Sequence, residues 1–261
     1  MSDSCQRRFV GKNVLITGGA GRIGSATALA LLKDGANVII ADISRERINS
    51  CADMLSPFRG KFHALVADVT SEVGISDLIA HSQALVGPLT SAVHCAYPTS
   101  PGWGANFEVL KSSFLYEDLC GQLGSAIIFS QQILRHFQAN NGGDLIHISS
   151  IQGIRAPKFE HYLGTSMSSP IEYAAIKAGI ISITRWLAKY YSSQNIRVNC
   201  VSPGGILDDQ PVQFVENYRK SCTNIGMLSG EQVSSVVAFL LSAESQAING
   251  QNLIVDDGWS I

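Results

Sequence analysis

Thr17-Gly18-Gly19-Ala20-Gly21-Arg22-Ile23-Gly24 lies between an apolar run, Asn13-Val14-Leu15-Ile16, and a helical pattern, Ser25-Ala26-Thr27-Ala28-Leu29-Ala30-Leu31-Leu32. A glycine-rich turn from a buried strand into a helix is a phosphate cradle. Glycines let the backbone approach a pyrophosphate, and the free N–H groups at the helix start carry partial positive charge. Downstream, Asn37-Val38-Ile39-Ile40-Ala41 ends in Asp42. A carboxylate there takes the two hydroxyls of an adenosine ribose and completes a dinucleotide-binding βαβ unit. A glycine turn with no ligand is the competing reading; the strand, the helix and the second-strand acid argue against it.

Outward from that unit, short apolar runs alternate with longer amphipathic segments. Strands are expected at 13–17, 37–42, 61–67, 91–96, 144–149, 197–202 and 252–255, and helices at 22–34, 44–56, 71–86, 107–139, 169–193 and 230–243. Such alternation predicts an α/β fold: a Rossmann-like doubly wound parallel sheet of about seven strands with helices on both faces. No linker, repeat or low-complexity tract interrupts residues 1–261, so a single dinucleotide-binding domain is expected. Ligands of such sheets bind beyond the carboxyl ends of the strands.

The 261 residues, 46% hydrophobic and 15% charged, suit a core-rich globular enzyme. A net charge of −2 and a pI near 6.3 argue against nucleic acid or an anionic membrane as partner, since both call for a basic face. Met1 to Lys12 lacks the apolar core of a signal peptide and no stretch reaches membrane-span length, so the chain is expected in the cytoplasm. The cysteines (Cys5, Cys51, Cys95, Cys120, Cys200, Cys222) form no C-x-x-C pair and the histidines no H-x-x-x-H spacing, so no metal is expected and the thiols are read as free.

The chemistry should follow the fifth strand. Ser149 and Ser150 stand there, and Tyr173-Ala174-Ala175-Ile176-Lys177 comes next. Residues four apart share a helix face, so Tyr173 and Lys177 reach one ligand. A free phenol has a pKa near 10. The lysine ammonium and the positive ring of an oxidised nicotinamide would pull it down. Ser150 would hold the substrate oxygen while Tyr173 moves its proton, beside a hydride acceptor.

Taken together, Thr17–Gly24, Asp42, Ala67-Asp68-Val69, Ser150, Tyr173/Lys177, Asn199-Cys200-Val201-Ser202-Pro203-Gly204 and Asn249-Gly250-Gln251 leading to Val255-Asp256-Asp257-Gly258 resemble the short-chain dehydrogenase/reductase family over the whole chain. The resemblance implies that Gly18, Gly21, Arg22, Ile23, Gly24, Asp42, Asp68, Val69, Ala96, Pro203, Gly204 and Ile206 surround an NAD cofactor, with Tyr173 and Lys177 contacting its nicotinamide ribose. Asp68 would bind the adenine, Ile206 would offer its backbone to the carboxamide, and Asn199 would hold the site together.

Several positions depart from the family pattern. His94-Cys95-Ala96-Tyr97 replaces Asn-Asn-Ala-Gly, which puts an aromatic ring at the mouth. Gln122, in Gln122-Leu123-Gly124-Ser125, stands where the family has a catalytic asparagine. That asparagine works through its main-chain carbonyl on a proton relay, so Gln122 is counted as catalytic with its side-chain role open. Arg22 replaces a glycine and either touches phosphate or projects from the first turn. Ser150 and Tyr173 lie 23 residues apart, longer than the family's usual spacing. The extra stretch, 156–169, contains Glu160, His161, Tyr162, Thr165 and Met167, and is either a specificity loop or a solvent or subunit contact.

This pattern, with Cys95-Ala96-Tyr97-Pro98 and 203–211, is similar to a bacterial flagellin-modification subgroup tied to sialic-acid-like sugars. It implies a sugar or amino-sugar substrate, phosphorylated or nucleotide-linked. The apolar stretches Ala126–Phe129 and Ala178–Ile181 exceed what one helix face needs for its own sheet, and Trp259-Ser260-Ile261 ends on apolar residues. The family resemblance adds that relatives pair these helices across two-fold axes, so a homotetramer is expected. The leading reading is therefore an NAD-dependent oxidoreductase interconverting a secondary alcohol and a ketone. The alternative is a non-catalytic dinucleotide-binding or scaffold protein on the same fold. A longer-branch sugar-nucleotide epimerase or dehydratase shares the Tyr/Lys pair but normally carries a larger carboxyl-terminal substrate region. His147 is read as packing, His94 as packing or cofactor-proximal, Asp208-Asp209 as the polar start of a loop, and Trp103 and Trp259 as pocket or subunit contacts.

Overall fold

A computed structural model describes residues 7–261; Cys5 and the first part of the Met1–Lys12 stretch lie outside the described residues. The strands are β1 Asn13–Thr17, β2 Asn37–Asp42, β3 Phe62–Val66, β4 Ser91–His94, β5 Gly143–Ile148, β6 Ile196–Pro203 and β7 Asn252–Val255. They form one parallel seven-stranded sheet in the order β3-β2-β1-β4-β5-β6-β7. The helices are α1 Arg22–Lys33, α2 Arg45–Met54, α3 Glu72–Val86, α4 Ser112–Asp118, α5 Ser125–Ala139, α6 Ile171–Tyr190, α7 Val212–Arg219 and α8 Gly230–Leu241. Among the described residues no helix is long and apolar enough to cross a membrane.

The apolar runs are continuous because both faces of the sheet are covered. Val14, Ile16, Val38 and Ile40 share a core with α1, α2 and α8. Leu15, Ile39 and Ala41 point the other way, into a core with α3, α5 and α6. Strand residues alternate between faces, so each face takes every second side chain.

The topology places the site. From β1 the chain builds outward through β2 and β3, then returns to β4 on the other side of β1, where Thr17 pairs with His94. The loops after β1 and β4 therefore part, leaving a crevice at their carboxyl ends.

Three expectations are revised. The helix expected over 107–139 is broken: a short turn at Phe107–Val109, then α4, a π-helical turn at Leu119–Gly124, and α5. Asn106 and Lys111 adopt extended backbone, so the apolar Phe107, Val109 and Leu110 that suggested helix precede its true start. At 169–193 the helix begins only at Ile171, because Pro170 (φ −68°, ψ 141°) sits extended as its N-cap. Finally α7 is a helix that periodicity did not suggest; Pro211 precedes it, and Phe214 and Tyr218 lie one turn apart on its buried side.

The apolar stretches Ala126–Phe129 and Ala178–Ile181, expected to exceed what their own helices need, are used mostly at home. Phe129, Ile180 and Ile181 are buried in the chain's own core, and only Ile127 of these large residues is exposed. Likewise Trp259 is buried within the subunit, leaving Ile261 exposed.

Candidate active site

A cavity of about 1110 Å³ occupies the crevice. Every cofactor residue expected above lines it, from Gly18 to Ile206, and so do Ser150, Tyr173 and Lys177. Gln122 does not.

At the phosphate loop, Gly18 has φ +60°, and a Cβ there would stand 2.7 Å from the Cys95 carbonyl oxygen. A Cβ on Gly24 would lie 2.5 Å from Gly18 O. Bare backbone is therefore required for α1 to start flush against the loop. Gly21, its N-cap, has no side chain to cap the first-turn N–H groups, which suits a ligand anion. These residues fit a dinucleotide. Arg22 forms an ion pair with Asp208, joining the phosphate loop to the loop after β6. Neither expectation for Arg22 included this partner.

Asp42, 5% exposed, ends β2 inside the cavity wall. Its Oδ1 accepts from Ser44 N (3.0 Å) and from Arg47 Nη2 (2.9 Å), and Arg47 itself lines the cavity. Asp68 Oδ1 accepts from Thr70 N (2.8 Å) and Thr70 Oγ1 (2.7 Å), which holds the loop after β3.

At the other end, Ser150 follows β5, and its Oγ accepts from Gln152 N (3.2 Å). Ser149 Oγ donates to Lys177 O (2.7 Å), pinning α6 to the end of β5. The Lys177 ammonium donates to Ile148 O (3.2 Å) and stands 5.5 Å from the Tyr173 ring centre and 5.2 Å from that of Tyr97. Burial pushes the lysine down to about 8. Burial also pushes the Tyr173 phenol up; the Ser150 hydrogen bond pulls it down and the nearby Tyr162 phenol pushes it up. The lowering expected from Lys177 is therefore not what sets this phenol: burial raises it, and the downward pull comes from Ser150.

Tyr97, Trp103 and Tyr173 meet edge to face, with centroids 5.4 to 5.9 Å apart. Tyr97 lines the cavity and Trp103 braces it from behind. Gln122 sits in the π-helical turn, 2% exposed, and neither its amide nitrogen nor its oxygen has a hydrogen-bond partner. Its main-chain carbonyl, by contrast, accepts from Ser125 Oγ (3.2 Å). Asn199 is wholly buried and bonds Gln251 N and Ile248 O (both 2.9 Å), tying β6 to the segment before β7.

The two strand histidines lie behind the site. His94 Nδ1 bonds Thr17 Oγ1 (2.8 Å), while His147 bonds Ser130 (2.9 Å) and Thr184 (2.9 Å). Burial drives them down to about 3 and about 4, so both are neutral.

The stretch between Ser150 and Tyr173 turns over the cavity rather than away from it. His161, Tyr162 and Met167 line the wall, facing Phe214 and Tyr218 of α7 and the buried Trp259. Lys158 lies over the Trp259 ring (4.7 Å) and donates to its carbonyl (3.1 Å). Sequence reasoning missed Arg47, Gln152, Phe214 and Tyr218. The i, i+4 aromatic pair after Pro211 was a usable signal for the last two; nothing local distinguished Arg47 or Gln152.

Comparison with known proteins matches this geometry. A family model described as enoyl-(acyl carrier protein) reductase covers residues 18–260. Post-translational flagellin modification protein A of Campylobacter coli is 36% identical over 255 residues, covering 96% of this chain and 98% of its own. A short-chain dehydrogenase from Leptospira borgpetersenii with bound NAD+ superposes with a TM-score of 0.85 at 28% identity, covering 100% of this chain and 97% of its own. One from Burkholderia cenocepacia in complex with NADP gives 0.85 at 26%, covering 97% and 100%. The cavity, the shared sheet and these relatives place the chain in the short-chain dehydrogenase/reductase family of oxidoreductases.

Proposed function

We propose that the protein is an NAD-dependent dehydrogenase/reductase that interconverts a secondary alcohol and a ketone on a sugar or amino-sugar derivative used in surface or flagellar glycan synthesis. The observation that carries the reading is the convergence of Ser150, Tyr173 and Lys177 in the cavity that the phosphate loop and Asp42 also line. The bound nicotinamide would accept or return the hydride. Ser150 orients the substrate oxygen, Tyr173 exchanges the proton on that oxygen, and Lys177 holds a positive charge beside the phenol. Gly18, Gly21, Arg22, Ile23 and Gly24 would hold the pyrophosphate, Asp42 the adenosine ribose and Asp68 with Val69 the adenine. Ala96, Pro203, Gly204 and Ile206 would border the nicotinamide.

The likeness to the flagellin-modification protein supports the sugar substrate, phosphorylated or nucleotide-linked, and a cytoplasmic setting agrees with free thiols at Cys51, Cys95, Cys120, Cys200 and Cys222. The test is a screen of amino sugars, their phosphates and nucleotide-linked forms with NAD and NADP, read by nicotinamide absorbance. Hydride transfer to one of them is expected. Tight cofactor binding with no turnover on any keto or hydroxy sugar would instead indicate a non-catalytic dinucleotide-binding protein.

A further inference from the structure

The stretch between Ser150 and Tyr173 carries a phenol whose hydrogen-bond polarity is set by its neighbours. Ser169 Oγ donates to Gln152 Oε1 (2.7 Å), which turns the amide so that its Nε2 donates to Tyr162 Oη (3.3 Å). Tyr162 oxygen thus already accepts a bond, and its own O–H proton is left to donate into the cavity that Tyr162 lines. The main chain, the ring and the hydroxyl of Tyr162 are each held by a different neighbour. Thr165 Oγ1 and Thr165 N bond the Tyr162 carbonyl (2.8 and 3.1 Å), Phe214 packs on the ring at 5.1 Å, and Gln152 fixes the hydroxyl. Gln152 is itself two residues past Ser150 and donates its N–H to the Ser150 hydroxyl, so one short segment aligns both oxygens. Tyr162 is also near enough to Tyr173 to push the catalytic phenol upward.

We propose that Tyr162 is a second substrate-binding phenol, donating a hydrogen bond to a substrate oxygen other than the reacting one, so that the site selects polyoxygenated alcohols over alcohols bearing a single hydroxyl. The inference rests on the alcohol/ketone reading above and deepens it: the relay Ser169–Gln152–Tyr162 leaves a phenolic proton facing the cavity, and a second oxygen on the substrate is the acceptor that would take it. The apolar walls around it, Phe214, Met167 and Trp259, suit the faces of a ring that carries such oxygens.

The test compares cyclohexanol with its trans-vicinal diol in wild type, Tyr162→Phe and Ser169→Ala. Wild type should favour the diol in kcat/KM, and Tyr162→Phe should lower the diol value about tenfold, the worth of one good hydrogen bond, through KM. The mono-alcohol should stay within about twofold, since no bond to it is lost. Ser169→Ala, which leaves the phenol present but unaligned, should fall between. Equal losses on both compounds in Tyr162→Phe, or a wild type indifferent to the second hydroxyl, would overturn the proposal. Intrinsic-fluorescence titration of both compounds onto the protein with cofactor bound makes the same comparison without turnover. Diol selectivity in binding that Tyr162→Phe abolishes, with no oxidation of either compound, would support Tyr162 and count against the dehydrogenase reading instead.

Discussion

On the proposed reading, cofactor choice turns on Asp42 and Arg47, which are bonded to each other at the cavity wall. A 2′-phosphate about 4 Å from the Asp42 carboxylate would be repelled by roughly 4 kcal/mol at an effective dielectric near 20. Arg47, already bonded to that carboxylate, offsets part of this. We expect NAD to be preferred by about tenfold in kcat/KM. Arg47→Ala should widen the preference and Asp42→Ala should narrow it, checked by kinetics and by dissociation constants for both dinucleotides. An unchanged preference in Arg47→Ala would mean that Arg47 contributes nothing to the ribose end. At the reacting end, Tyr173→Phe should cut turnover by about 10² to 10⁴ while dinucleotide affinity stays nearly unchanged. Lys177→Ala should damage both, because on the proposed reading its ammonium would serve the phenol and the ribose together. Retention of a tenth of wild-type turnover in Tyr173→Phe would remove the phenol from the acid/base role.

At the scale of elements, the π-helical turn at Leu119–Gly124 separates what Gln122 does with its backbone from what it does with its side chain. Such turns are frequent at functional sites because they break the regular carbonyl ladder. The side chain, buried and unpartnered, carries a desolvation penalty of about 1–3 kcal/mol. Gln122→Met, close in volume and without polar atoms, should keep activity and match or exceed wild-type stability in chemical denaturation. Gln122→Ala should lose stability through the cavity it leaves yet keep most of its turnover. A hundredfold loss of kcat in the folded Met variant would show that the amide acts directly. The segment after Ser150 and helix α7 work as another unit: each supplies one wall of the cavity, and Tyr162 meets Phe214 where they touch.

For the molecule as a whole, the buried histidines set the acid limit. His94 and His147 have ordinary values near 6.5 and are held at about 3 and about 4 in the fold. Because the folded state resists protonation, their contribution is intact above pH ~6.5 and is lost as pH falls from there toward the folded values. At pH 5 each should cost roughly 2 kcal/mol, from about 1.5 units at 1.36 kcal/mol per unit. Urea denaturation at pH 7 and pH 5 should show the drop, and His147→Gln should halve it; equal stability at both would show that the imidazoles ionise in place. On the outside of α6, Trp186 and Tyr190 stack at 4.8 Å while 61% and 62% exposed. An apolar surface of this kind fits a self-complementary contact, and we propose a homotetramer of two-fold symmetry. Light scattering should give four subunits in wild type and a smaller species in Trp186→Glu. An active wild-type monomer at micromolar concentration would leave this face simply exposed.

The amino-acid order alone determined the strands, most helices, the glycine loop, Asp42 and the Ser150/Tyr173/Lys177 set. Those features are local: alternation, helix spacing and turn chemistry are set by residues within a few positions of one another. The sequence did not determine that Arg47 clasps Asp42, that Arg22 pairs with Asp208 across 186 positions, or that Gln152 turns Tyr162. It also did not determine that burial would raise the Tyr173 phenol. Each of these depends on side-chain direction, distance and burial, which even for near neighbours such as Asp42 and Arg47 are fixed only once the sheet has brought its carboxyl ends together.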